Sequence, residues 1–178
     1  APVGPLRPPA PNGLIVKPDF YYSLALLVVA AGAVAITCAT TEVATPPAML
    51  AAFFFGFGLL TISMGYAHPR EGYVSFDRVA QVACILVLGP VAAATINGLA
   101  SLVFPWHRLR NGEPVGRVLD ASVHNAGLMT LTVLVGGLAY EAVGGSVPLD
   151  RLDADSLLPI VFLFATMQIV NEFGMRIS

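Results

Sequence analysis

Asp120 and His124 are the two side chains in this sequence whose types and spacing best suit chemistry. Residues four apart lie on the same face of a helix, so this carboxylate and this imidazole have common neighbours. Both lie near the start of a long apolar run, where ionisable groups are costly and mark candidate sites. Two interpretations follow: a pair that senses a ligand or a proton, or two interfacial groups paired with Arg117 or with water.

Further polar residues lie within or beside apolar runs and are candidates for ligand contact or signal relay. Asn125 follows His124 directly, and Asn97 lies deeper in its own run. Asn97 either contacts a ligand or forms an interhelical hydrogen bond that holds neighbouring helices together. The remaining candidates lie near the C-terminal end, where they either relay a signal or occupy the membrane boundary. They are Gln168, Asn171 and Glu172.

The histidines and the short motifs give no support for catalysis or metal binding. His68, His107 and His124 occur in three separate places, at no ligand spacing, whereas a zinc site needs convergent ligands. The sequence contains no phosphate-binding glycine loop, no G-x-S-x-G and no C-x-x-C motif. We therefore expect a protein that is not an enzyme and has no metal site, and the sequence assigns no cofactor.

These polar residues belong to a very apolar chain. Of its 178 residues, 56% are hydrophobic and 11% are charged, and the mean hydropathy is +0.77. A typical soluble domain has about 25% charged residues, and so small a domain could not bury this much apolar surface. We therefore predict an integral membrane protein. The basic residues form no cluster of the kind that binds nucleic acid, so no nucleic-acid partner is expected.

Six apolar runs predict an all-α membrane protein, a bundle of six passes. A run of about 20 apolar residues suits one membrane crossing. Residues 1–18 are rich in proline and are predicted to form an extended cytoplasmic arm. Residues 19–178 are predicted to form the transmembrane helical bundle. The predicted runs are 20–40, 47–65, 74–89, 91–106, 118–143 and 157–175.

Gly89 and Pro90 interrupt one long apolar stretch and predict a helical hairpin. The halves 74–89 and 91–106 are each about 24 Å long as helices, shorter than a bilayer core of about 30 Å. Pro90 breaks a helix, and Gly89 permits a reversal. If the chain turns back here, most basic residues share one side of the membrane, as the positive-inside bias requires. They are Arg7, Lys17, Arg70, Arg78, Arg108, Arg110, Arg117 and Arg176.

Three stretches resemble the N-terminal multi-pass domain of bacterial membrane signalling proteins. In such proteins a module of this kind precedes a cytoplasmic HD-GYP phosphodiesterase, diguanylate cyclase or histidine kinase. The Gly-Pro turn is also similar to that of the substrate-binding components of energy-coupling vitamin transporters. The stretches, within about residues 73–173, are YVSFDRVAQVACILVLGPVAAATINGLASLV, VLDASVHNAGLMTLTVLVGGLAYEAVGG and LLPIVFLFATMQIVNEF.

The resemblance implies a non-enzymatic sensory or anchoring domain in the bacterial inner membrane, with both termini in the cytoplasm. Such a domain shifts between two arrangements of its last helix, and a cytoplasmic signalling module reads the shift. Its partners would be the lipid bilayer and that module. Two alternatives stay open: an accessory structural subunit of a larger membrane complex, and the substrate-binding membrane component of a transporter.

Overall fold

The computed structural model describes residues 18–68, 72–74 and 76–177, which fold mainly into helices. The 3-10 helix is Phe104–Asn111, and two short strands, β1 (Tyr66–His68) and β2 (Gly72–Val74), pair antiparallel between the second and third α-helices. The α-helices are α1 (Pro18–Thr40), α2 (Ala48–Ser63), α3 (Asp77–Leu88), α4 (Pro90–Val103), α5 (Val115–Ala142) and α6 (Ala154–Ile177).

The predicted all-helical class is confirmed, apart from the small ribbon formed by β1 and β2. Three helices are long and apolar enough to cross a membrane, at Phe20–Thr40, Val115–Ala142 and Ala154–Met175. α2 is also apolar but has only 16 residues. α3 and α4 have 12 and 14 residues, so neither alone spans a core of about 30 Å.

Two predicted features fall wholly or partly outside the described residues. Of the proline-rich arm, residues 1–18, only Pro18 is described, and it begins α1. Arg70, which the predicted topology places on the same side as Arg108, also lies outside the described residues. The side of the membrane on which Arg70 lies therefore stays a prediction.

The predicted single helix over residues 91–106 is wrong beyond Val103. α4 ends at that residue, and the chain continues as the 3-10 helix Phe104–Asn111. Pro105 explains the change, because a proline has no N–H to donate to the carbonyl of Ser101 four residues earlier, and its ring clashes with that carbonyl. The backbone therefore leaves the α-helical path one residue before the proline.

α5 is the central helix of the bundle, and α1, α4 and α6 all pack against it. Glycines on α5 allow two of these close approaches. Gly127 lies against the α1 backbone at Leu26 and Leu27, and Gly137 lies against Pro90 at the start of α4. Small residues let helix backbones approach closely, which is how helices associate in lipid.

Gly89 forms the turn between α3 and α4. Its N–H donates to the carbonyl of Ile85 at 2.9 Å and ends α3, while its carbonyl accepts from the N–H of Ala93 at 3.1 Å and begins α4. The φ of Gly89 is +83° and its ψ is 171°, a conformation that is essentially restricted to glycine. One residue therefore ends the first helix, reverses the chain and opens the second.

The two arms of this hairpin run in opposite directions along α5. On α3, Gln81 contacts Met129 in the middle of α5, and the carbonyl of Leu86 accepts from the N–H of Leu149, beyond the end of α5. α3 therefore runs parallel to α5. On α4 the order is reversed, because Pro90 packs near the end of α5 and Gly98 packs nearer its beginning, beside Thr130.

The helix directions define two ends of the bundle. At the proximal end, the beginnings of α1 and α5 meet the end of α6, through Tyr22, Ser23, Asp120 and Gly174. The 3-10 helix also lies at this end because it leads into α5. At the distal end, the turn between α3 and α4 meets the loop between α5 and α6. The residues that define the distal end are Gly89, Val147 and Leu149.

The outer faces of α1, α2 and α6 are apolar and exposed. Soluble monomers rarely expose contiguous apolar patches of more than a few hundred Å², whereas a bilayer would cover such faces. The outward apolar surface therefore agrees with the three helices of membrane-spanning length. Among the exposed side chains are Val28, Val29 and Ile36 on α1, Met49, Phe53 and Leu60 on α2, and Leu157, Val161, Phe164 and Ile169 on α6.

Candidate functional site

A buried hydroxyl on α1 bonds a carboxylate on α5 at the proximal end. The Ser23 hydroxyl donates to Oδ1 of Asp120 at 2.8 Å. Ser23 is 3% exposed, and Asp120 is partly buried. A buried hydrogen bond contributes about 1 kcal/mol, so this contact ties the first helix to the central one.

Tyr22 extends this contact to the last helix. Its ring packs on the ring of His124, with centroids 5.9 Å apart and an interplanar angle of 39°. Its hydroxyl donates to the carbonyl of Gly174 at 3.3 Å. Gly174 lies among the last four residues of α6, whose carbonyls have no partner within the helix. Tyr22 therefore supplies a donor that the end of α6 lacks.

We call these five residues the three-helix junction: Tyr22, Ser23, Asp120, His124 and Gly174. The structure brings the predicted pair Asp120 and His124 together with residues of α1. The hydrogen-bond donor to Asp120 is Ser23 rather than Arg117, which is exposed. The sequence offered two interpretations of Asp120 and His124: a pair that senses a ligand or a proton, or interfacial groups paired with Arg117 or water. In the structure both residues instead contact side chains of α1.

The other predicted residues of α5 and α6 lie beside the junction rather than within it. Asn125 is partly buried on α5. On α6, the side-chain amide of Gln168 donates to Oε1 of Glu172 at 3.1 Å, and both residues are exposed. Asn171 is partly buried between them. Their roles in ligand contact or relay stay predictions.

Asn97 belongs to a second polar contact, among α2, α3 and α4. It is 5% exposed, and its side-chain amide donates to the carbonyl of Ala93 at 2.9 Å. The same side chain faces the Cys84 thiol on α3 and lies beside Gly58 on α2. This position favours the interpretation of Asn97 as an interhelical contact.

Gln81 is a buried polar residue that sequence reasoning missed. It is 2% exposed, and its amide nitrogen donates to Oδ2 of Asp77 at 2.8 Å and to the sulfur of Met129 at 3.2 Å. Its amide oxygen accepts from Arg78 at 3.3 Å. Gln81 lies within the apolar stretch VAQVAC, and a polar side chain inside an apolar run marks a candidate site, as it did for Asn97.

The polar groups of the junction form hydrogen bonds between helices. Within the described residues, no group of three or more histidine, cysteine or acidic side chains is arranged to hold a metal ion.

Comparison with known proteins gives no match. No protein-family model fits the chain, and no curated protein and no solved structure is significantly similar to it.

Replacing Ser23 with alanine is expected to lower the free energy of unfolding by about 1 kcal/mol, because Asp120 loses a buried donor between helices. Titration of the purified protein with a denaturing detergent, followed by circular dichroism, measures the change. Ser63→Ala is the matched control, since the Ser63 hydroxyl bonds only the carbonyl of Leu60 within its own helix. Equal losses in the two variants would show that the Ser23 bond does not join α1 to α5.

Proposed function

We propose that the chain is a six-pass membrane bundle that acts as a non-enzymatic sensory or anchoring domain of the bacterial inner membrane. In this proposal the proximal end faces the cytoplasm, and α6 passes a change in position to a cytoplasmic signalling module. The three-helix junction is the observation that best supports the proposal. It bonds the last turn of α6 to α1 through Tyr22, beside the ionisable pair Asp120 and His124.

The charge distribution and the helix directions support the proposed topology. The distal end comprises the turn at Gly89, the loop that carries Asp150 and Asp153, and the first turn of α6 with Asp155. The arginines of the 3-10 helix lie at the proximal end. A bundle inserted with its arginines towards the cytoplasm obeys the positive-inside bias. The short α3–α4 hairpin would then be shielded from lipid by α2 and α5, which pack against it.

The strength of the Tyr22 contact suits a switch. A distance of 3.3 Å between the Tyr22 hydroxyl and the Gly174 carbonyl lies just beyond the usual range for a hydrogen bond, and such a bond contributes at most about 1.5 kcal/mol. Suppose that a ligand or proton bound at Asp120 or His124 favours one arrangement of α6 by about 1.4 kcal/mol. The ratio of the two populations would then shift tenfold. The two arrangements would differ in whether α6 is held to α1.

Replacing Tyr22 with phenylalanine tests this role. The change keeps the ring and removes the hydroxyl, so we expect the end of α6 to sample a wider range of positions. Spin labels at the exposed residues Arg117 and Phe173 report the distance between the start of α5 and the end of α6. Double electron–electron resonance should show a broader distance distribution in Tyr22→Phe than in the unmodified chain.

Tyr21→Phe is the control for this measurement. Tyr21 is the neighbouring tyrosine, is 66% exposed and is not part of the junction. Its substitution should leave the distance distribution unchanged. If Tyr22→Phe and Tyr21→Phe give the same distribution as the unmodified chain, the position of α6 does not depend on the junction, and the sensory proposal loses its main support.

An accessory subunit of a larger membrane complex is the second candidate function. The observation that favours it is the aromatic outer face of α2, where Phe53 and Phe57 stack with ring centroids 5.9 Å apart and Phe53 is exposed. Such a face suits packing against helices of another subunit. Purification from the native membrane separates the candidates, because a subunit co-purifies with stoichiometric partners. The transport-component alternative stays a prediction.

A further inference from the structure

An open cleft of about 860 Å³ lies at the proximal end, between the end of α2 and the 3-10 helix. One wall is apolar and includes Leu59, Leu60 and Val103. The rim carries Trp106 and the basic side chains of the 3-10 helix. The cleft is separate from the three-helix junction, since the two sites share no residue.

The basic groups of the cleft are Arg108 and Arg110, and His107 lies beside them. Within the part of the chain that the structure describes, neither arginine is paired with a carboxylate. Nδ1 of His107 donates to the carbonyl of Phe104 at 2.7 Å, which holds the imidazole against the 3-10 helix and leaves Nε2 for another partner. The cleft therefore combines unneutralised positive charge with an apolar wall.

We propose that this cleft binds a phospholipid with an anionic headgroup. The guanidinium groups of Arg108 and Arg110 would bind the phosphate, because arginine presents paired donors that match phosphate oxygens. The apolar wall on α2 would contact the first part of an acyl chain, and Trp106 would lie at the interface, where tryptophan is enriched. This inference rests on the proposed function, which places the proximal end at the negatively charged cytoplasmic leaflet.

The apolar wall distinguishes a lipid from a soluble anion as the occupant. Inorganic phosphate would satisfy the arginines but would leave Leu59, Leu60 and Val103 exposed to water. A phospholipid satisfies both halves of the cleft at once. The volume of the cleft also lies within the range of small-molecule sites, about 300–1,000 Å³.

The fluorescence of Trp106 tests the proposal directly, because Trp106 is the only tryptophan in the chain. The full chain is purified in detergent and titrated with phosphatidylglycerol or phosphatidylcholine whose acyl chains carry bromine, which quenches a tryptophan in contact with it. We expect quenching at a lower mole fraction of phosphatidylglycerol. An arginine that contacts the headgroup inside the cleft should contribute about a fivefold preference for the anionic lipid.

The double variant R108Q/R110Q should therefore lose at least about fivefold of the preference for phosphatidylglycerol. R117Q is the matched control, because Arg117 is exposed at the same end but lies outside the cleft, and its preference should equal that of the unmodified chain. Ser63→Phe fills the cleft without changing its charge and should also reduce the quenching by phosphatidylglycerol. Each variant is first checked for unchanged helicity and elution volume.

Three results would overturn the lipid proposal. They are equal quenching by the two lipids in the unmodified chain, an equal loss of preference in R117Q and in R108Q/R110Q, and complete displacement of phosphatidylglycerol by millimolar inorganic phosphate. If both lipids quench strongly and equally, the proposed membrane location still holds, and only the preference for an anionic lipid is contradicted. Absence of quenching by either lipid would contradict the membrane location as well.

Discussion

Replacing Gly127 with alanine should destabilise the bundle by about 1–3 kcal/mol, the usual cost of overpacking a tight core. A Cβ at this position would lie 2.7 Å from the backbone nitrogen of Leu27 and 2.9 Å from the backbone carbon of Leu26. Both atoms belong to the α1 main chain, which cannot move aside as a flexible side chain can. The variant would have to push α1 away from α5 and stretch the Ser23–Asp120 contact.

Gly32→Ala on α1 is the control for Gly127→Ala. No atom lies within 4 Å of a Cβ placed at Gly32, and alanine is the better helix former. The control should therefore be neutral or slightly stabilising, whereas Gly127→Ala should be destabilising. Unfolding in a denaturing detergent measures both free energies. A loss in Gly127→Ala no greater than that in Gly32→Ala would contradict the close packing of α1 on α5.

Replacing Gly89 with asparagine should cost about 1–3 kcal/mol, because a φ of +83° with a ψ of 171° is essentially open to glycine alone. A Cβ there would also lie 3.4 Å from the side chain of Val147. We expect the loss to appear both in the free energy of unfolding and in the packing of α3 on α4. Detergent titration measures the first, and a spin-label distance between these two helices measures the second.

Gly112→Asn supplies the comparison for Gly89→Asn. Gly112 has a φ of +79° but a ψ of 15°, the left-handed helical region, which asparagine adopts more readily than other residues. The cost should be less than about 1 kcal/mol. Similar costs for the two variants would show that the reversal at Gly89 does not depend on a glycine conformation.

Apolar runs predicted the helices well, because a bilayer demands long apolar segments with internal hydrogen bonds. The first run, 20–40, differs from α1 only by two residues at its start. The start of α6 was less predictable. α6 begins at Ala154, three residues before the predicted apolar run. At this start the N–H of Ser156 donates to the carboxylate of Asp153 at 3.0 Å, which caps the helix.

Two elements were not predicted, and each has a local cause. The ribbon formed by β1 and β2 lies in a polar stretch between apolar runs, where hydropathy carries no signal for strand pairing. The 3-10 helix was missed because Phe104 and Trp106, on either side of Pro105, are apolar and extend the apolar run past the proline. Pro159 lies inside α6 without ending it, so a proline within an apolar run does not by itself predict where a helix ends.

The candidate site was only half predictable. The spacing of Asp120 and His124 placed them on one helix face, and the structure gives each a neighbour in α1, Ser23 for Asp120 and Tyr22 for His124. Tyr22 and Ser23 belong to a distant segment, and a contact between residues about 100 positions apart leaves no trace in local periodicity. The bond from Tyr22 to Gly174 likewise depends on the packing of three helices.

The topology is tested most directly by single cysteines at Phe76, Arg110 and Arg151. Cys38→Ala removes the exposed native thiol, and Cys84 is buried. A maleimide that cannot cross membranes is added to sealed vesicles of known orientation that contain the full chain. We predict that cysteines at positions 76 and 110 react from the same side and that a cysteine at position 151 reacts from the other. Reaction of positions 76 and 110 from opposite sides would contradict the reversal at Gly89 within the membrane.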